Sequence, residues 1–206
     1  MAKFGKMSIE EYLERLGSGA PTPGGGAVAA LIAAQGAALI MMVANHTIGK
    51  PKYAEIEELN KDILSEAEIL LGSLTDGVDN DAEAFSKVSA AYALPKDDEN
   101  RSAEIASASV LAAEAPLMVM EDSLSALRLA ATLKGRSNRM LESDIYVAAL
   151  CLYAAIKSAK LNVEANVPAI KKTDAALAYD LHNRASDVLT DATLIITELS
   201  RSRIAD

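Results

Sequence analysis

The sequence has no Trp, one Cys and few aromatic residues, and basic side chains are in the minority. Because Cys151 is the only cysteine, an intramolecular disulfide and a metal site made of several cysteines are excluded. With six Tyr and two Phe in 206 residues, the core has to be built from Ala, Leu, Ile, Val and Met, which is typical of closely packed helices. The formal net charge of −9 argues against nucleic acid or an anionic membrane as the main partner. A small-molecule ligand fits this charge better.

No long Pro/Ser/Gly-rich linker divides the chain, so we expect one domain over residues 1–206. The first residues lack the apolar core and cleavage site of a secretory signal, which predicts a cytoplasmic protein. The apolar run 27–44 approaches the length of a membrane span, with Gln35 as its only strongly polar side chain. However, weakly hydrophobic Ala and Gly dominate it, and it has no flanking basic cluster or aromatic belt. We interpret it as a buried central helix and expect no membrane partner.

Apolar residues recur at steps of three and four through most of the chain, and no segment alternates as a strand would. A capping box from Ser8 to Glu11 predicts a short first helix. Further helices are expected over 27 to about 47–49, 52–93 (one helix or two end to end), 99–134 with a bend at Pro116, 143–166 and 174–203. The sequence therefore predicts an all-α, single-domain bundle of about six mostly long helices around a buried Ala/Gly-rich helix.

The segment Pro21-Thr22-Pro23-Gly24-Gly25-Gly26 leads directly into the Ala-rich helix. Two prolines fix φ and three glycines free the backbone, so peptide N–H groups can converge at the start of the helix. This arrangement predicts a site for a carboxylate or phosphate, although a tight packing turn would use the same residues. The segment has neither the Lys-Ser/Thr ending of a P-loop nor the preceding strand of a dinucleotide fold.

Polar side chains also interrupt apolar helix faces. Burial of such side chains costs free energy unless they are paired or take part in binding or catalysis. Asp81 lies at the rim of such a face, a position that equally suits a solvated carboxylate. Asp144, Asn162 and Asn166 share one face of the fifth helix, and Asp144 also suits an N-cap. Since Asp144 and Asn162 are ~27 Å apart along the helix axis, they serve opposite ends of a long ligand or meet through a second subunit.

The turn from Thr47 to Tyr53 is basic in an acidic protein, and its Lys50 is a candidate anion ligand or a solubilising surface residue. His46 and His182 belong to no HExxH motif or paired-carboxylate pattern, so we expect no metal.

These segments together resemble the cyclodeaminase/cyclohydrolase family of folate one-carbon enzymes. The resemblance covers nearly the whole chain. It rests on residues 21–28, then in matching order on Thr47-Ile48-Gly49-Lys50, residues 79–85, Ser143-Asp144 and residues 162–166. The family motif commonly has Ser after its glycines, where this chain has Ala27.

The resemblance implies an all-helical homodimer, or a larger assembly of dimers, that binds a folate and needs no cofactor beyond the tetrahydrofolate substrate. It implies one of two reactions. One interconverts methenyl- and formyltetrahydrofolate, and the other closes formiminotetrahydrofolate with loss of ammonia. The residues it implies as catalytic are Asp81, Asp79 and Lys50, and those it implies as substrate-binding are Pro23, Gly24, Gly25, Gly26, Thr47, Asn138, Asp144, Asn162 and Asn166.

Because methenyltetrahydrofolate is a cation, Asp81 or Asp79 would stabilise it and orient or deprotonate the attacking water. We expect the glycines and Lys50 to hold the anionic folate tail and the two asparagines to bond the pterin edge. No formiminotransferase domain accompanies the sequence, which favours the cyclohydrolase over the cyclodeaminase. A non-catalytic folate-binding or helical assembly protein is the alternative from another class.

Overall fold

The computed structural model describes residues 3–204, and six α-helices account for most of them. The helices are α1 (Ile9–Leu16), α2 (Gly25–Asn45), α3 (Glu57–Ala93), α4 (Arg101–Leu133), α5 (Glu142–Ile170) and α6 (Ala175–Ile204). Short 3-10 helices cover Phe4–Lys6, Pro51–Ile56 and Arg139–Leu141. Residues 3–204 contain no strand, so the predicted all-α bundle is confirmed.

Helix α2 lies at the centre of the bundle, where it packs against α3, α4 and α5. The side chains of Ala30, Ala33 and Ala37 are completely buried. Small residues let the neighbouring helices approach closely: a methyl group added at Gly36 would lie 2.7 Å from Cγ of Leu152 on α5. The predicted buried Ala/Gly-rich helix is therefore confirmed.

Two helices, α2 and α4, are long and apolar enough to cross a membrane by length and composition alone. About half of the most apolar stretch of each is buried inside the bundle, as also occurs in the core helices of soluble proteins.

The capping box at the start of α1 forms as predicted. The Ser8 hydroxyl accepts a hydrogen bond from the Glu11 N–H, and the Glu11 carboxylate accepts one from the Ser8 N–H. The reciprocal bonds satisfy two backbone donors that the helix start would leave unpaired. The helix carries Tyr12 into the core, where its side chain is 5% exposed.

Two helix boundaries differ from the sequence prediction. Residues 52–56 belong to a 3-10 helix, because Pro51 begins it and Tyr53 has non-helical dihedral angles. Helix α5 continues past Asn166 to Ile170 with Pro168 inside it. The last turn persists because Val163 and Ile170 are fully buried, and this packing offsets the hydrogen bond that proline removes.

The start of α5 also corrects a prediction. Its N-cap position is Leu141, and Asp144 lies within the first turn, so Asp144 is not an N-cap. An acidic residue there still interacts favourably with the positive end of the helix.

Candidate active site

The Gly-rich segment, α3, α4 and α5 enclose a cavity of about 360 Å³ at the N-terminal end of α2. We call it the glycine-end cavity. It is lined by Pro21, Thr22, Gly24, Gly25, Gly26, Asp81, Ala84, Phe85, Val88, Ala112, Asn162, Ala165 and Asn166. Six residues of the predicted site therefore meet here, although they come from three distant parts of the sequence.

Asp81 is anchored to the first turn of α2. Its Oδ2 accepts a hydrogen bond of 3.1 Å from the backbone N–H of Ala27. Gly26 makes room for this carboxylate, because a methyl group at that position would overlap it. The glycine-rich helix start, which the sequence predicts as a site for the carboxylate or phosphate of a ligand, is therefore contacted by a carboxylate of the protein itself. The backbone N–H of Ala27 makes this contact, while its side chain is completely buried.

The glycine-end cavity has one charged side chain among its lining residues, that of Asp81. Partial burial raises the pKa of Asp81, and the hydrogen bond from Ala27 opposes this shift in part. A partly desolvated carboxylate is a stronger base than one in water, and it attracts a cation more strongly. The cavity is therefore suited to a ligand that carries positive charge next to Asp81.

Asn162 and Asn166 line the wall of the cavity formed by α5. Their side-chain N–H groups donate to backbone carbonyls: Asn162 to Ser158, and Asn166 to Asn162 and Ala112. These bonds fix both amides and leave the side-chain oxygens to accept hydrogen bonds. The wall therefore offers two acceptors to N–H groups of a ligand.

Asp79 and Pro23 do not line the glycine-end cavity, contrary to the prediction that they share a site with Asp81. The Asp79 carboxylate faces the N-terminal segment, where Oδ1 accepts a 2.6 Å hydrogen bond from the N–H of Phe4. The side chain of Pro23 is buried. Asp79 therefore holds the backbone of the N-terminal segment.

A second predicted group lies beyond the opposite end of α2. The Thr47 hydroxyl donates to the Val43 carbonyl and accepts from the N–H of Asn138, at 2.8 and 2.9 Å. The Asn138 side chain accepts from the N–H of Met140 and caps the 3-10 helix Arg139–Leu141. Since Thr47 is 1% exposed, the structure gives its hydroxyl an internal role and does not support the predicted contact with substrate.

Replacing Thr47 with Val is expected to lower the free energy of unfolding by about 1–3 kcal/mol, because the Asn138 N–H loses its acceptor. Chemical denaturation measures this change. Thr132→Val is the matched control, since the surface hydroxyl of Thr132 bonds only the carbonyl of Arg128 one turn back. Equal stability of the two variants would contradict the internal role of Thr47.

Lys50 and Asp144 also lie away from the glycine-end cavity. Lys50 is exposed after the C-terminal end of α2, and Asp144 is partly buried in the first turn of α5. The 21 residues of α2 extend ~30 Å, so Lys50 and Asp81 cannot act on one small group within a single chain. A separate cavity of about 480 Å³ near this end is lined by Lys134, Gly135, Ser137, Arg139, Glu142 and Ile145.

Known proteins resemble this chain in sequence over most of its length. The sequence profile of the formiminotransferase-cyclodeaminase family matches residues 8–187. The chain belongs to this family. A methenyltetrahydrofolate cyclohydrolase of Methylorubrum extorquens is 40% identical over 192 residues, which cover 91% of each chain. A formimidoyltransferase-cyclodeaminase of Sus scrofa is 30% identical over 93% of this chain, which spans about a third (36%) of that protein's length.

The fold of the family has a solved example that matches this chain closely. The crystal structure of formiminotetrahydrofolate cyclodeaminase from Thermotoga maritima superimposes with a TM-score of 0.88 at 28% sequence identity, covering 95% of each chain.

Two residues beside the site of this family member were missed at the sequence level. Tyr12 is buried, its hydroxyl has no hydrogen-bond partner within residues 3–204, and burial together with the charge of Asp81 raises its pKa. Arg15 donates from Nε to the Thr22 carbonyl at 3.2 Å, which ties α1 to the Gly-rich segment. In the sequence both look like ordinary positions of a short amphipathic helix. Only the three-dimensional placement of α1 reveals them.

The part of the chain that the structure describes contains no group of three or more His, Cys, Asp or Glu side chains placed to hold a metal ion. Cys151 is a free, partly buried thiol, and burial raises its pKa. A raised pKa keeps it in the less reactive protonated form.

Proposed function

We propose that this chain is a methenyltetrahydrofolate cyclohydrolase, which interconverts methenyl- and formyltetrahydrofolate. The observation that carries the proposal is the placement of Asp81, the single charge in the glycine-end cavity. The related M. extorquens protein, named for this activity and matched over 91% of its length, also supports it.

The chemistry of the reaction fits this cavity. The methenyl bridge carries a positive charge over one carbon and two nitrogens, so the Asp81 carboxylate stabilises the bound substrate. Water adds to the bridging carbon, one C–N bond breaks to leave the formyl group, and one proton is released. Asp81 is placed to accept a proton from the attacking water, because its raised pKa makes it a stronger base than a solvated carboxylate.

The asparagine wall gives the substrate an orientation. The side-chain oxygens of Asn162 and Asn166 can accept hydrogen bonds from N–H groups at the pterin edge. Apolar contacts with Phe85 and Val88 would cover the ring. This arrangement would present the bridging carbon to Asp81 in a fixed geometry, which raises the effective concentration of the reacting groups.

A second candidate function is formiminotetrahydrofolate cyclodeaminase. The T. maritima neighbour and the S. scrofa relative carry cyclodeaminase in their names. The same carboxylate would stabilise the same cation, formed by ring closure and loss of ammonia. Neither reaction transfers electrons, and we propose that neither needs a cofactor beyond tetrahydrofolate.

The absorbance of the methenyl group distinguishes the two activities. Purified protein is mixed with methenyltetrahydrofolate in one assay and with formiminotetrahydrofolate in another, and the methenyl absorbance is followed in both. We expect the absorbance to disappear faster than in buffer in the first assay. Its appearance together with ammonia in the second assay would favour the cyclodeaminase. No enzyme-dependent change of absorbance in either assay would favour a non-catalytic folate-binding or helical assembly protein.

We also propose that the chain acts as a homodimer in which Lys50 of one subunit approaches the glycine-end cavity of the other. Within one chain Lys50 and Asp81 lie at opposite ends of α2. Helix α5 also exposes apolar side chains at Val147, Leu150 and Leu161. A dimer would cover this apolar surface. It would also bring the Lys50 end of one subunit next to the glycine-end cavity of the other.

Co-expression of Asp81→Asn and Lys50→Ala chains tests this assembly. Each variant alone is expected to be nearly inactive. Randomly mixed dimers are expected to recover about a quarter of the wild-type activity, because half are mixed and each of these has one intact site. Sedimentation should give twice the chain mass. No recovery of activity, or a monomer in sedimentation, would contradict the proposal.

A further inference from the structure

A second cavity, of about 470 Å³, adjoins the glycine-end cavity. The two share Pro21, Thr22 and Phe85 as a common wall. The remaining lining residues of the second cavity are Phe4, Arg15, Ser86 and Ser89. We call it the arginine cavity. Its walls combine aromatic and proline surfaces with hydroxyl groups and one cation.

The charge of the arginine cavity is opposite to that of its neighbour. Arg15 is the one charged side chain that lines it, and no acidic side chain does. Within residues 3–204, Arg15 forms no ion pair, although the protein as a whole carries a net charge of −9. An unpaired guanidinium in an acidic protein is available to an anionic ligand.

The guanidinium group of Arg15 is also held in place. Its Nε donates to the Thr22 carbonyl at 3.2 Å, and its central carbon lies 5.4 Å from the centre of the Phe4 ring. Phe4 is 6% exposed, and its backbone N–H is fixed by Asp79. The described residues give no hydrogen-bond partner to the two terminal nitrogens of Arg15. These nitrogens can therefore donate to a carboxylate.

We propose that the arginine cavity binds the aminobenzoyl-glutamate tail of the folate, with Arg15 as the ligand of its carboxylates. The inference rests on the proposed function and extends it to the far end of the substrate. The aromatic ring of the tail packs against Phe4, Pro21 and Phe85. Asp81 attracts the cationic end of the folate and repels its anionic end. The cationic end therefore binds in the glycine-end cavity and the anionic end in the arginine cavity.

This assignment differs from the sequence expectation, which gave the tail to the glycines and Lys50. The carboxylate of Asp81 already occupies the start of α2. Lys50 of the same chain lies at the other end of that helix, and the partner subunit's Lys50 is proposed to approach the glycine-end cavity, not the arginine cavity. Arg15, in contrast, lines a cavity that adjoins the glycine-end cavity, where the cationic end of the folate is proposed to bind.

The test compares two substrates, methenyltetrahydrofolate and its analogue in which both glutamate carboxylates are converted to amides. For the wild type, we expect kcat/KM to be about tenfold lower with the amide, mainly through KM. For Arg15→Gln, which keeps an N–H donor for Thr22, we expect the two substrates to have equal kcat/KM. Arg15→Lys should restore part of the preference for the charged tail. Arg128→Gln is the matched control, since Arg128 is surface-exposed and pairs with Asp191.

A purely structural role of Arg15 would lower kcat/KM equally for both substrates, and this result would overturn the proposal. An unchanged preference for the charged tail in Arg15→Gln would also overturn it. Calorimetric binding of aminobenzoyl-glutamate alone separates this proposal from the catalytic one. Binding to the wild type and not to Arg15→Gln supports the arginine cavity even if neither substrate is turned over. An inactive wild type that does not bind the fragment would overturn both proposals.

Discussion

Replacement of Asp81 by Asn is expected to lower the turnover of methenyltetrahydrofolate by about 10²-fold or more. Asn has nearly the same shape, and its side-chain oxygen can still accept the hydrogen bond from Ala27. It carries no negative charge and cannot take a proton from water. The measurement is kcat at saturating substrate, with circular dichroism to confirm that the helices remain.

The stability of this variant gives a second readout. Because burial raises the pKa of Asp81, the fold disfavours its ionised form. Asn avoids this penalty, so Asp81→Asn is expected to melt at or above the wild-type temperature at pH 7. The difference should shrink as the pH falls through the raised pKa of Asp81. It should vanish below the ordinary pKa of Asp, where the wild-type carboxyl is protonated in both states.

Asp76→Asn is the matched control, since Asp76 is exposed on the same helix and does not line the glycine-end cavity. It should keep wild-type turnover. A wild-type kcat in Asp81→Asn would remove Asp81 as the base and with it the main argument for this cavity as the active site.

Replacement of Gly26 by Ala is expected to be the next most damaging change. The added methyl group would overlap the Asp81 carboxylate, which must then leave the Ala27 N–H. Displacement of a reacting group by about 1 Å can lower kcat/KM by about 10²-fold. The same overlap is expected to reduce the free energy of unfolding by about 1–3 kcal/mol. Steady-state kinetics and chemical denaturation measure the two effects.

Gly72→Ala is the control for this substitution. Gly72 is also helical, and a methyl group there would meet no heavy atom within 4 Å. We expect unchanged kinetics and a gain of up to ~1 kcal/mol in stability, because Ala favours helix more than Gly. If Gly26→Ala behaved like Gly72→Ala, the close contact between α2 and Asp81 would have no part in catalysis.

Much of the fold could be predicted because its signals are local. The three- and four-residue recurrence of apolar side chains identifies the long helices, and the pair Ser8 and Glu11 identifies the start of α1. Two of the errors in the helix boundaries lie at prolines. Pro51 begins a 3-10 helix in which Tyr53 has non-helical dihedral angles. Pro168 is tolerated inside α5, since the packing of the buried Val163 and Ile170 outweighs local preference.

The site could be predicted only in part. Asp81, Asn162 and Asn166 were identified because a polar side chain on an apolar helix face costs free energy unless it is paired or functional. All three line one cavity. Their relationships are long-range and leave no trace in the sequence pattern. The bond between Ala27 and Asp81 joins residues 54 positions apart, and Thr47 bonds Asn138 across 91 positions. Arg15 was missed because its significance depends on where α1 packs.

A crystal structure of the Asp81→Asn protein with methenyltetrahydrofolate tests the central claim most directly, since the variant is expected to turn the substrate over much more slowly than the wild type. We expect the methenyl bridge beside residue 81, the pterin against Asn162 and Asn166, and the glutamate tail at Arg15. Folate bound instead only in the cavity lined by Lys134 and Arg139, at the other end of α2, would contradict the assignment of the glycine-end cavity as the active site.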